Sequence, residues 1–282
     1  MAEVKSSASA GSVQAANPLK SAFPVIAIVA CFVVAYILYK YVLGAAGNFE
    51  GGNPDGHPIS TEVSVSKHYL GLIYKGGFIV PLGLTLLLTV IVFTVERMLT
   101  LGRAGGKGNV DAFMFKLRGL IQKEDIEGAI KECDKQSGSL GNVVKSTLRK
   151  YEEMTKDTSI DKETKKEAIQ AEHEKATMLE LPGLERNLPI IATVASLGTL
   201  VGLIGTVLGM IRSFSALGAG GAPNAAELSV GISEALVNTA LGITTSALAI
   251  LLYNFFTTRI DGMTYRMDEV GYSIVHTFDQ KH

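Results

Sequence analysis

Four apolar segments, each long enough to cross a bilayer as a helix, dominate this sequence. A membrane-spanning helix needs about 20 consecutive apolar residues, because the hydrocarbon core is about 30 Å thick and a helix rises about 1.5 Å per residue. A soluble core can bury one such segment, but four in one chain favour a membrane protein. The predicted spans are residues 23–43, 77–96, 188–214 and 230–258.

The composition agrees with a membrane protein and excludes several other classes. Hydrophobic residues make up 47% of the chain and charged residues 19%, whereas soluble domains carry about 25% charged residues. The net charge of −1 argues against a nucleic-acid-binding protein, which usually presents a basic face. We therefore predict an all-α integral membrane protein, with four transmembrane helices in the lipid bilayer and a large cytoplasmic helical region.

The distribution of Lys and Arg predicts how the chain is oriented. Residues 97–187 hold 17 of the 26 basic residues, and residues 215–229 hold none. By the positive-inside rule, the first of these segments is cytoplasmic and the second is periplasmic. With four spans, residues 44–76 then form a periplasmic loop, while the tail 1–22 and the C-terminal helix 259–282 are cytoplasmic. This is the expected topology of a multi-pass membrane protein.

The first apolar segment has an alternative interpretation as a cleaved signal peptide. Its apolar run is longer than the roughly 7–15-residue core of such peptides, and a long polar segment precedes it. An uncleaved transmembrane helix at residues 23–43 is therefore favoured.

The cytoplasmic segment is predicted to form four helices, at residues 110–124, 125–135, 140–154 and 160–181. The first three show apolar residues with a period near 3.6, and the last is mostly charged. Pro182, Gly183 and Pro189 are expected to bend or reset that charged helix before the membrane.

No enzyme motif is found in the sequence. A P-loop, a Cys/His cluster and a GxSxG element are all absent, so no catalytic residue, cofactor or metal site is predicted. The two cysteines, Cys31 and Cys133, imply no disulfide framework, because one lies in a predicted span and the other in the predicted cytoplasmic region. The histidines lie outside the spans and are interpreted as solvated: His57, His68, His173, His276 and His282.

The third and fourth spans are rich in small and polar residues, unlike the first two. Two GxxxG pairs in the third span, at residues 198–202 and 205–209, would let another helix approach closely. Thr206 and Thr239 each lie about 12–13 Å below the outer end of their span, so the two hydroxyls can share one level.

Five polar residues of these spans are candidates for a proton pathway or a pore lining: Thr199, Thr206, Glu234, Asn238 and Thr239. The alternative for the threonines is helix packing, because Ser and Thr hydroxyls commonly bond to their own helix or a neighbour. An acid within a span costs about 2.5–3.5 kcal/mol on insertion scales, so Glu234 should face protein or water. Its alternative is an interfacial acid near the first turn, where the helix dipole favours it.

These spans resemble the MotA/TolQ/ExbB proton-channel family. The motif GLIGTVLGM at residues 202–210 is similar to the family's signature in one pore helix, and SEALVNTALG at 233–242 is similar to that in the other. The Glu96-Arg97 pair and the residues at 187–189 agree as well, so the resemblance covers about residues 76–259. Within the family it is closer to ExbB than to TolQ, and the span at 23–43 is an addition to the usual ExbB pattern.

The resemblance implies a homopentamer whose central pore is lined by the third and fourth spans. Two copies of an ExbD-like single-span partner would lie in that pore, where the positions of Thr206, Thr239 and Glu234 line the lumen. An aspartate of the partner would carry protons, and the work would pass through a TonB-like protein to drive outer-membrane uptake of iron chelates, haem or cobalamin. The alternatives are a TolQ-type subunit of the Tol-Pal envelope system and, from another class, a passive channel or membrane scaffold.

Overall fold

The structure, a computed structural model, describes residues 18–54, 56–218 and 225–281. Most of the predicted tail 1–22 and the centre of the predicted outer turn 215–229 lie outside these residues. The described residues confirm an all-α protein, with a single isolated bridge between Phe49 and Pro58 as their only β-pairing. The α-helices are α1 (Pro18–Ile37), α2 (Val65–Tyr74), α3 (Val80–Ala104), α4 (Val110–Gln122), α5 (Ile126–Gln136), α6 (Gly138–Lys156), α7 (Lys162–Glu185), α8 (Leu188–Gly218) and α9 (Ala225–Lys281).

Four helical segments of the described chain are long and apolar enough to cross a membrane, as predicted. They begin at Ala22, Gly77, Leu188 and Glu227. The second continues to Ala104, beyond the end predicted at residue 96. The predicted fourth span and the C-terminal helix predicted at residues 259–282 belong to one continuous helix, α9, of 57 residues. At about 1.5 Å per residue it is roughly 85 Å long, far more than a bilayer needs.

The break between α7 and α8 lies between Pro182 and Pro189, two of the residues predicted to bend or reset the helix. Helix α7 runs through Pro182 and ends at Glu185, Asn187 has a φ of 65°, and α8 begins at Leu188. Tertiary contacts hold this position. Buried Arg97 of α3 donates from Nη1 to the Leu184 carbonyl at 3.1 Å, and Glu96 accepts from the Asn187 amide at 3.2 Å. The second span is thereby tied to the entry of α8.

The predicted periplasmic loop contains an ordered cap that the sequence analysis did not find. Helix α1 ends in a π-helical segment, Leu38–Leu43, whose last carbonyls accept from the Asn48 amide at 2.7 and 2.9 Å. The short helix α2 then returns to the membrane surface, where Tyr74 stacks on Tyr39 with 4.8 Å between ring centroids. Its ten residues carry too weak an apolar pattern to predict a helix.

Helices α8 and α9 pack antiparallel along their membrane length, and α3 packs against both, with α1 on the outer side of α3. Helices α4, α6 and α7 pack against the second half of α9, α5 packs on α4 and α6, and these helices form the predicted cytoplasmic bundle. The core of this bundle includes Leu117, Leu148, Ile169, Ile274 and Phe278.

His173 contradicts the prediction that the histidines are solvated. Its side chain lies between α6, α7 and α9 and is only 7% exposed. The Thr147 hydroxyl donates to the Val143 carbonyl at 2.9 Å, so it accepts from Nδ1 of His173 at 3.1 Å. Nε2 faces Asp268 Oδ1 at 3.8 Å. The many charges of α7 obscured its buried stripe of one residue per turn.

We expect the cytoplasmic bundle to lose stability as pH falls below about 6.5, the ordinary pKa of histidine. Burial lowers the pKa of His173, although the nearby carboxylates of Asp268 and Glu174 oppose this. The unfolded chain therefore binds the proton more readily, and acid favours unfolding. Thermal melting of the purified chain between about pH 8 and about pH 5.5 should show the loss. The His173→Gln variant, whose side chain does not titrate, should lose less melting temperature over this pH range. If the variant and the parent chain lose the same amount, the role given to His173 is wrong.

Candidate functional site

The backbones of α8 and α9 touch along a line of glycines, as the GxxxG pairs predict. A Cβ at Gly202 would lie 3.2 Å from the Asn238 carbonyl oxygen and 3.3 Å from the Cα of Gly242. One at Gly209 would lie 2.7 Å from the backbone nitrogen of Ala235. Because only hydrogen atoms separate the two helices here, short polar side chains beside this line can reach across it.

Two pairs of hydroxyls bridge α8 and α9 beside the glycine line. Thr206 and Thr239 form a hydrogen bond through their Oγ1 atoms, at the shared level that the sequence predicts. Thr199 donates to Ser246 Oγ at 2.9 Å. The pairs are seven residues apart on each helix, which is about 10 Å. We call these four residues the hydroxyl ladder.

The hydroxyl ladder lies on the side of α8 and α9 that faces away from the other two spans. Helix α3 contacts α9 at Leu241 and the turn before α3 contacts it at Val237, since a Cβ added at Gly83 or at Gly76 would meet these side chains. At about 100° per residue, Thr239 points roughly opposite to these two positions. Thr199 is exposed, and Thr206 and Thr239 are half-buried. In the single chain the ladder therefore borders an open face.

Glu234 and Asn238 lie on the opposite flank, against the start of α3. The Asn238 amide donates to the Gly76 carbonyl at 2.7 Å, and its own Oδ1 is buried without a hydrogen bond among the described residues. Glu234 is 5% exposed and packs on Gly77, where φ is 76° and an added Cβ would collide with the carboxylate. The five candidate residues thus form two sets: the three threonines of the ladder, and Glu234 with Asn238 on the opposite flank.

Arg212 was not among the predicted site residues. Its Nη1 lies 3.1 Å from Glu234 Oε2, and its side chain is 66% exposed whereas that of Glu234 is 7% exposed. A signal for this pair was present in the sequence, because Arg212 is a lone base near the outer end of its span and an acid enters the membrane at a similar depth on the next span. The pair compensates the charge of an acid that is costly to bury alone.

Arg212→Gln should therefore destabilise the chain more than Glu234→Gln. The first leaves a buried carboxylate without its counter-ion, at a cost of about 3–5 kcal/mol. The second removes the charge and loses a hydrogen bond, at a cost of about 1–3 kcal/mol. The temperature at which each variant aggregates in mild detergent measures which of the two is less stable. The double variant should be more stable than Arg212→Gln alone, and an Arg212→Gln chain as stable as the parent would contradict the pairing.

No group of three or more His, Cys, Asp or Glu side chains in the described ranges is placed to hold a metal ion. The polar groups that the described site brings together are hydroxyls, one buried acid with its arginine partner, and an amide.

Comparison with known proteins agrees with the geometry. Residues 136–269 match the MotA/TolQ/ExbB proton channel family. A putative biopolymer transport protein, ExbB-like 3, of Synechocystis sp. is 42% identical over 85 residues, which are 29% of this chain and 40% of that protein. The Tol-Pal system protein TolQ of Pseudomonas aeruginosa is 30% identical over 146 residues, 51% of this chain and 63% of that protein. The biopolymer transport protein ExbB of Pseudomonas putida is 28% identical over 162 residues, 57% and 49% of the two chains.

The chain spans about two fifths to just under two thirds of the length of these relatives. The family match begins at the end of α5 and includes α6 to α8, the hydroxyl ladder and most of α9. Helices α1 to α4 lie outside the matched residues. Residues 136–269, just under half of the chain, are thus similar to the MotA/TolQ/ExbB proton channel family.

Proposed function

We propose that this chain is an ExbB-type subunit of a motor in the bacterial inner membrane that is driven by the proton motive force. With an ExbD-like partner it would pass energy through a TonB-like protein to outer-membrane uptake of iron chelates, haem or cobalamin. The observation that carries the proposal is the hydroxyl ladder. Its two hydroxyl pairs lie at two successive depths and together form a polar line along otherwise apolar helices.

Hydroxyls are suited to moving protons without attracting other ions. Each can donate one hydrogen bond and accept others, so a proton can join one side of a hydroxyl while another leaves the opposite side. A proton that falls through roughly 150 mV releases about 3.5 kcal/mol. In this proposal Thr199, Thr206 and Thr239 line the pathway, while Glu234 and Asn238 fix the start of the second span to the pore helices.

The open face of the ladder supports an assembly of several copies. Exposed apolar side chains continue from the ladder around both helices, and a single chain does not cover them. They include Leu203, Val207, Phe214, Leu236, Ile243 and Leu251. A homopentamer would turn the ladders toward a central pore, which two ExbD-like helices would occupy, and would bury the flanking apolar residues between copies.

The proposed topology follows the distribution of charge. Residues 97–187, the tail 1–22 and the end of α9 would lie in the cytoplasm, with residues 44–76 and 215–229 in the periplasm. Helix α1 packs on α3 and leaves most of its surface exposed, so it would widen the contact of each subunit with lipid.

A TolQ-type role in the Tol-Pal system is the second candidate, since proteins of that name are among the relatives. TolQ of Haemophilus influenzae is 36% identical over 84 residues. The two roles share the pore and differ in their partners, so the partner decides between them.

Native mass spectrometry of the complex, extracted gently with its own partners, tests the proposal. We expect five copies of this chain with two copies of a small single-span protein, whose sequence would identify an ExbD-type or a TolR-type partner. A symmetric ring without a partner would support a passive channel instead. A monomer or dimer that persists across mild detergents would contradict the motor.

A further inference from the structure

A cavity of about 640 Å³ lies between the cytoplasmic ends of α8 and α9, beside the end of α7. Its polar lining combines hydroxyls with two carboxylates. These residues are Thr193, Ser196, Tyr253, Thr257, Glu185 and Asp261. The family resemblance assigned no role to any of them.

The cavity continues the hydroxyl ladder toward the cytoplasm. Ala192 lies seven residues before Thr199 on α8, and Tyr253 lies seven residues after Ser246 on α9. Both residues line the cavity. Seven residues are nearly two helical turns, so both positions lie on the ladder's side of their helices, about 10 Å further inward. The cavity is therefore the next level of the same polar line.

The charged side chains at the cavity rim favour the entry of a cation over that of an anion. Many acids of the cytoplasmic bundle are paired with bases, such as Asp134 with Lys145 and Glu269 with Arg118. Among the described residues, neither Glu185 nor Asp261 has a basic side chain within ion-pair distance, although both line the cavity. Two uncompensated carboxylates beside low-dielectric walls raise the local concentration of cations.

We propose that this cavity is the inner vestibule of the proton path and that Asp261 is its proton acceptor, with Glu185 as the second acid at its rim. The inference rests on the proposed function. A proton that leaves the Thr199–Ser246 level enters the vestibule as hydronium. It passes to the Asp261 carboxylate, leaving water and a neutral carboxyl group, and the carboxyl group then releases it to the cytoplasm.

Thiol labelling tests the vestibule without measuring proton flow. Ser196→Cys and Thr193→Cys place thiols on the cavity wall with little change in size. The native thiols should stay silent, because Cys31 and Cys133 are both buried and burial raises the pKa of Cys133 to about 12, whereas the thiolate is the reactive form. The assay uses the complex with its partners in vesicles, with impermeant cationic or anionic methanethiosulfonates added on the cytoplasmic side.

The controls define the two limits of reactivity. Phe115→Cys, on the exposed surface of α4 at 82% exposure, should react with both reagents. Val29→Cys, exposed on the middle of α1, should react with neither, because lipid covers it. We expect Ser196→Cys to react with the cationic reagent at least about tenfold faster than with the anionic one, relative to Phe115→Cys. An unreactive Ser196→Cys beside a reactive Phe115→Cys would overturn the vestibule.

The acid assignment is tested in the Ser196→Cys background. Asp261→Asn should lower the ratio of cationic to anionic labelling rates, whereas Glu180→Gln, whose carboxylate accepts from Asn142 outside the cavity, should leave it unchanged. Equal ratios in both variants would overturn the role of Asp261. Proton uptake by the parent complex is measured in parallel. A complex that shows cation-selective labelling but no proton uptake would refute the motor and keep the cation site. A complex that takes up protons without selective labelling would refute the cation site and keep the motor.

Discussion

Replacing Thr206 and Thr239 together by Val should lower proton uptake by about 10²-fold or more. The two hydroxyls bond to each other across α8 and α9, and Val keeps their shape while removing every donor and acceptor of the side chain. A positioned proton-transfer group typically contributes a factor of about 10²–10⁴. Each hydroxyl oxygen also lies 3.1 Å from a carbonyl oxygen of its own helix. Because a hydroxyl has one proton, the threonine that donates to the other one leaves its carbonyl to the helical N–H partner. Both carbonyls keep that partner in the Val variant, so the fold should survive the change. Uptake is measured in vesicles that hold the complex with its partner and carry an imposed pH gradient.

The matched control is the double variant Thr206→Ser and Thr239→Ser, which keeps both hydroxyls and should retain most of the uptake. Glu234→Gln serves as a second comparison, because it lies on the opposite flank and should reduce stability more than the uptake measured per assembled complex. If the Val variant assembles normally and carries protons at the parent rate, the ladder is packing only. If Glu234→Gln alone abolishes uptake in intact complexes, the acid belongs to the pathway and our division of the two flanks is wrong.

Gly242→Val should prevent the close packing of α8 and α9 and thereby remove both hydroxyl pairs. A Cβ at Gly242 would lie 2.8 Å from the Cα and 3.0 Å from the nitrogen of Gly202. These are backbone atoms of the facing helix, so a rotamer change cannot relieve the contact. Overpacking of this kind costs about 1–3 kcal/mol, occasionally more, and separation of the helices would add the loss of the interhelical bonds. We expect a lower melting temperature in detergent and no proton uptake.

Gly262→Val is the control for this substitution, since the same change is made on the same helix where an added Cβ meets nothing within 4 Å. It should melt close to the parent chain, because it shares the cost of a β-branched residue in a helix but not the clash. A Gly242→Val chain as stable as the Gly262→Val chain would mean that α8 and α9 do not pack as closely in the membrane as described here.

Local pattern was enough to predict the parts of the fold that repeat along one helix. The four spans follow from apolar length, and the antiparallel contact of α8 and α9 follows from glycines four residues apart together with a short connection. The levels of Thr206 and Thr239 follow from a constant rise per residue. These features depend on spacing within one segment or on two segments that must be neighbours, so the order of residues is sufficient to determine them.

Contacts between distant segments decided the other features of the fold, because these features depend on which face of a helix meets which neighbouring segment. The polar stripe of α9 looks continuous in the sequence, yet the turn that leads into α3 covers Glu234 and Asn238 and leaves Thr239 on the open side. The α7–α8 break lies at Asn187, between the predicted breakers Pro182 and Pro189, where side chains of α3 hold it. The sequence by itself thus determined the spans and their glycine seam, whereas the tertiary structure alone separated the hydroxyl ladder from the acid paired with Arg212, because burial depends on a third helix that spacing does not reveal.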